Sequence, residues 1–183
     1  MNEIETLVQK YEEYARLPWD STLAGPQKVW FAIYDPNNER RLRLRIQEFE
    51  SATLRAKHTW RLVDITDTFA QWMANHEYRE EYFKQPDDMD LALADYEKHL
   101  ADLVQNELTF EGVDANTVVA ISGIGSLFGL TRASTLLEAV APHIRGRLLV
   151  FFPGHRDGSN YRLLDARDGW NYLAIPITAN DGK

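Results

Sequence analysis

The chain has 183 residues, a net charge of −8, 44% hydrophobic residues and no cysteine. That length suits one domain, and the apolar share is enough for a sizeable core. The missing cysteines exclude disulfides, zinc ribbons and thiolate chemistry, and the acidic balance opposes general nucleic-acid binding.

The charge is uneven. Residues 1–129 carry 13 basic and 23 acidic side chains, while residues 130–170 carry six arginines against four acids. A local arginine-rich surface on the C-terminal third stays open as a possibility. Direct DNA contact would require Arg132, Arg145, Arg147 and Arg156 to converge in one patch, and it is not expected. The polar N-terminus, MNEIETLVQKYEEYAR, lacks the features of a signal peptide. No run approaches the roughly 20 apolar residues of a membrane span. A cytoplasmic protein is expected.

Residues 3–16 predict an amphipathic helix, with Ile4, Leu7, Val8, Tyr11 and Ala15 at helical spacing. Pro18 and residues 20–26 end it in a loop, so 1–26 form an N-terminal helix and connector. Residues 28–34 (KVWFAIY) predict a buried strand, closed by Asp35-Pro36-Asn37-Asn38. A helix follows over 38–56 with Asn38 as N-cap and Leu42, Ile46 and Phe49 buried. Its arginines do not share one face, which reads as a solvated flank.

Residues 60–65 predict a second strand, with Thr66 and Asp67 capping the next helix. The whole of 66–112 reads as a helical segment. Pro86 breaks it, and Asp87 or Asp88 is expected to cap a long helix reaching Leu108. Residues 117–121 (TVVAI) predict a third strand, 122–130 a glycine-containing loop and 131–141 a helix. A fourth strand over 148–152 is expected to stop at Pro153-Gly154. Residues 161–164 predict a short strand and 172–177 the last one. The expected fold is a single three-layer α/β domain over 1–183, its mostly parallel sheet of about five strands covered by helices on both faces.

In such a sheet the loops after the strands share one edge, where ligands usually sit. Three compete here: 35–38, 122–130 and 153–160. The second, Ser122-Gly123-Ile124-Gly125-Ser126-Leu127-Phe128-Gly129-Leu130-Thr131-Arg132, links a strand to a helix as a phosphate-cradling loop does. It fails the Walker A spacing, has no Lys before Thr131, and has Phe128 where a dinucleotide fingerprint needs glycine. A tight turn, a remnant nucleotide or anion site and a partner-docking loop all fit it. The third loop carries Gly154, His155, Arg156 and Asp157. Ser126, His155 and Asp157 supply the residue types of a hydrolase or nuclease, but no G-x-S-x-G elbow is present. The five histidines show no metal-ligand spacing, and no metal or other cofactor is expected. Trp30, Trp60 and Trp72 are expected in the core; Trp170, in a polar turn, is the better exposed anchor.

The C-terminal half resembles the BrxB family of the BREX bacterial phage-defence systems. The resemblance rests on Gly123, Gly125, Arg132, Leu136-Leu137-Glu138, Phe151-Phe152-Pro153-Gly154, Asp157-Gly158 and Asn171-Tyr172. It is strong over 117–177 and looser upstream, where residues 31–36 and 64–65 also fit. The chain departs from the family pattern at Gly129, Ser134 and residues 173–175. The resemblance implies a non-catalytic defence component, without established catalytic residues. It also implies cooperation with a PglZ-type alkaline-phosphatase-like protein, an ATPase and a DNA methyltransferase. The binding residues expected from the two glycine-bearing loops are Gly123, Gly125, Ser126, Arg132, Gly154, His155, Arg156 and Asp157.

Overall fold

The computed structural model describes residues 1–166 and 169–180. Helix α1 (Glu3–Arg16) opens with a reciprocal cap: Asn2 Oδ1 accepts from the Glu5 N–H at 3.0 Å, and Glu5 Oε2 accepts from the Asn2 N–H at 3.0 Å. Strand β1 (Val29–Tyr34) is buried along its whole length, as a central parallel strand must be. Asp35 accepts from the Asn37 N–H at 2.9 Å and turns the chain into α2 (Glu39–Arg55). There follow β2 (Thr59–Asp64), α3 (Thr68–Ala74), α4 (Arg79–Lys84), α5 (Asp90–Leu108) and β3 (Thr117–Ser122). The C-terminal part comprises α6 (Ala133–Val140), β4 (Arg147–Asp157), β5 (Asn160–Leu163), β6 (Trp170–Asn171) and β7 (Ile175–Thr178).

The main sheet runs β2-β3-β4-β1-β7, and every pairing in it is parallel. This is the α/β architecture that the alternation of strands and helices predicts. Alternate residues of β1 serve opposite layers. Val29, Phe31 and Ile33 meet the core beneath α5 and α6; Trp30, Ala32 and Tyr34 meet that beneath α1 and α2. Each fully buried Leu or Phe contributes about 1.5–3 kcal/mol. The α2 arginines are the solvated flank expected: Arg43 pairs with Glu39 at 2.8 Å and Arg45 with Glu5 at 2.8 Å. No helix among the described residues is long and apolar enough to cross a membrane.

Four expectations are corrected. First, β4 does not stop at Pro153-Gly154 but continues to Asp157, pairing antiparallel with β5. Gly154 is there for close approach rather than for a turn, because a Cβ would overlap the Arg162 carbonyl. The turn falls at Gly158, with φ +61°.

Second, the last strand covers only Ile175–Thr178: residues 172–174 are not strand, and a short β6 lies ahead of the expected start. β6 pairs antiparallel with β5, whereas β7 pairs parallel with β1. One continuous strand cannot serve both, and the chain breaks between them. There the Ala174 carbonyl accepts from the Tyr161 hydroxyl at 3.0 Å.

Third, Trp170 is not an exposed anchor. Its pairing with Tyr161 turns the ring onto Phe152, 5.6 Å between centroids, and leaves it partly buried.

Fourth, Asp87 and Asp88 do not cap α5. They lie in a 3-10 turn, Pro86–Met89, and Met89 takes the cap position without a side-chain bond. Asn38 and Asp67 also take cap positions without such a bond; Asn38 donates instead to Glu3 Oε2 at 2.6 Å.

Candidate functional site

The C-terminal ends of β2, β3, β4 and β1 form one edge of the sheet. The link from β1 leads to α2 on one face, while those from β2 and β3 lead to α5 and α6 on the other. The switch in direction falls between β1 and β4, where open α/β sheets bind their ligands.

Gly123 follows β3 with φ +85°, and a Cβ there would overlap Thr66. The glycine lets the β3 exit press against the β2 exit. Asp64 braces that turn, accepting from the Thr66 N–H at 3.0 Å and the Thr66 hydroxyl at 2.5 Å. Burial pushes the Asp64 carboxyl up, but the Thr66 bonds and Arg43, 3.6 Å away, outweigh it and hold the group below its usual range. Gly125 sits on the Pro153 ring, and a Cβ would stand 3.4 Å from Pro153 Cγ. The two glycine-bearing segments therefore lie side by side.

Four of the loop's N–H groups and its Ser126 hydroxyl are spent internally. The N–H groups of Ser126, Phe128, Leu130 and Thr131 donate to Gly123, Gly125, Leu127 and Leu127 carbonyls at 3.0, 3.2, 2.9 and 3.1 Å. A phosphate cradle needs those donors pointing outward. The Ser126 hydroxyl donates to the Gly123 carbonyl at 2.7 Å. His155, Arg156 and Asp157 are exposed on the β4–β5 arm, where Asp157 pairs with Arg162 at 3.9 Å. His155 and Asp157 share a side of the strand, two residues apart. No hydrogen bond joins either of them to Ser126. The nucleophile, base and orienting group of a hydrolase are not assembled.

The four arginines do not meet. Arg132 and Arg156 belong to the edge just described. Arg145 stands just before β4 and Arg147 opens it, at the opposite edge; Arg145 donates to the Val113 carbonyl at 2.7 Å and Arg147 to the Gly146 carbonyl at 2.9 Å. Arg147 is only 5% exposed and lies over Trp19.

Beside the edge, a cleft of about 670 Å³ opens between residues 128–134 and the β5–β6 hairpin. Phe128, Arg132 and Ser134 line one wall; Leu163, Ala166 and Trp170 line the other. The Thr131 hydroxyl and the Trp170 indole N–H, both at this cleft, are buried atoms without a hydrogen-bond partner. Arg132 stands exposed at the start of α6, with no side-chain cap bond. Of the eight expected binding residues only Arg132 lines this cleft. Phe128 and Thr131 belong to the same loop but were singled out only for motif spacing. The opposite wall has no local signal, because it forms through the pairing of β6 with β5.

No group of three or more His, Asp or Glu residues among the described ones could hold a metal ion. A family model described as BREX protein BrxB matches residues 61–177, from β2 into β7 and including both walls of the cleft. No curated protein and no solved structure matches the chain.

Proposed function

The chain belongs to the BrxB family and is thus a component of a BREX phage-defence system; from that premise we propose that it is a non-catalytic interaction subunit. Its partner is a PglZ-type protein of the alkaline-phosphatase superfamily, with the ATPase and DNA methyltransferase of the system as further partners in the cytoplasm. The observation that supports this is the cleft. It presents the exposed Phe128 and Arg132 beside the partly buried ring of Trp170, an aromatic and arginine set of the kind enriched at interfaces. The Ser126 and Asp64 groups nearby are already committed to the turn. A partner would place an apolar side chain against Phe128 and Trp170 and a carboxylate at Arg132.

Co-expression with the PglZ-type protein of the same system tests it. The wild-type chain co-purifies at low salt. Phe128→Asp and Arg132→Glu, both at exposed positions, each weaken the complex by about tenfold or more, or about 1.4 kcal/mol, with thermal stability retained. Failure of the wild-type pair to co-purify overturns the reading, as does a purified chain that turns over a substrate unaided.

A further inference from the structure

The two outer strands of the sheet are built differently. β7 is four residues long and carries Pro176, which has no N–H to offer. Proline at an outer strand blocks further pairing. β2 is six residues long, has no proline or glycine, and ends the strand order with no further strand paired to its outer side among the described residues.

The register identifies its free groups. Thr59 donates its N–H to Asn116 and Ile65 to Ser122, at 3.1 and 2.9 Å. In a parallel ladder the residues alternate, so 59, 61, 63 and 65 face β3, and the N–H and C=O of Trp60, Leu62 and Asp64 face outward. These groups line a groove of about 710 Å³, walled by Ile46, Gln47 and Glu50 of α2 and by Leu103 and Glu107 of α5. Leu62, at its centre, is 42% exposed.

We propose that this edge pairs with β2 of a second copy of the chain, antiparallel about a two-fold axis at Leu62, joining two sheets into one. The strand is self-complementary in that register. Leu62 faces Leu62 of the second copy, Trp60 faces Asp64, and Arg61 faces Val63. The outward N–H and C=O groups of Trp60, Leu62 and Asp64 form three reciprocal hydrogen-bonded pairs. No like charges stand directly opposed. The two Arg61 side chains, diagonal neighbours across the axis, are each neutralised by Glu107 at 2.5 Å, and Asp64 is held by Arg43 at 3.6 Å.

Sedimentation of the purified chain from low-micromolar to submillimolar concentration tests this. The expected mass is twice 21.1 kDa at the upper end. Leu62→Lys opposes two cations across the axis and halves the mass, as does Leu62→Glu with two anions. Mixing the two variants restores the double mass, which a merely unfolded variant does not do. Amide exchange at Trp60, Leu62 and Asp64 slows with concentration in the wild type. A wild-type monomer at every concentration overturns the proposal and leaves the edge to a strand from another protein. A dimer that persists in Leu62→Lys overturns it too.

Discussion

The ring of Trp19 lies flat on the imidazole of His58, with centroids 3.6 Å apart and planes 8° from parallel. His58 reaches Asn116 Oδ1 at 2.5 Å through Nδ1 and the Ala15 carbonyl at 2.9 Å through Nε2. One side chain thereby ties the end of α1, the loop after it and the starts of β2 and β3. His58→Ala is expected to cost about 1–3 kcal/mol, lowering the urea midpoint with the m-value unchanged.

The glycines at the sheet edge separate two costs. Gly123 and Gly129 both have positive φ, +85° and +79°, but only Gly123 has a neighbour that a Cβ would overlap. Gly129→Ala is expected to cost about 1–2 kcal/mol, from strain alone. Gly123→Ala adds the displacement of Thr66 and costs about 1–3 kcal/mol more. Thermal unfolding of the two variants side by side measures the difference.

Ser126 separates a docking rim from a catalytic one. Its hydroxyl is donated to the Gly123 carbonyl. Ser126→Ala is expected to lower stability by about 1 kcal/mol. Ser126→Ala and His155→Ala are both expected to leave co-purification with the PglZ-type partner and phage protection unchanged. Loss of protection with the complex intact would show chemistry at these residues.

The acid response follows from carboxylates on α1. Arg55, bonded to Glu12 at 2.7 Å, holds that carboxyl below its usual range, assisted by Arg16. The Asn2 N–H, and then Arg45, do the same for Glu5. A carboxyl whose folded pKa is depressed stabilises the fold above its unfolded pKa, about 4.3 for Glu, and loses that contribution as pH falls through the folded value. The Tm is expected to hold between about pH 7 and 5 and to fall below about pH 4. Arg55→Gln lowers Tm at neutral pH but little in acid, so that the two curves converge. Parallel curves would show that the pair contributes nothing.

Much of the fold was legible locally. The unbroken apolar runs of β1 and β3 announce strands buried on both faces, and the spacing of Ile4, Leu7, Val8 and Tyr11 announces a helix with one wet side. Such patterns report which residues of an element share a face, and that is set by the element's own period. The glycine-bearing loop after β3 was legible from its own residues. Its eventual neighbours, Thr66 and Pro153, were not, since they come from other strands.

By itself the sequence determined the class of fold, the main helices and strands, and the family resemblance. Those rest on periodicity, on turn chemistry and on residues quoted in order. Tertiary structure alone decided that Pro153-Gly154 runs on as strand, that β6 and β7 serve β5 and β1 in opposite directions with the expected strand shortened between them, and that Trp170 turns inward. It also set the cleft beside Arg132 and left β2 as the open edge. Each of these depends on which segment lies alongside which, and pairing across tens of residues leaves no mark on local composition.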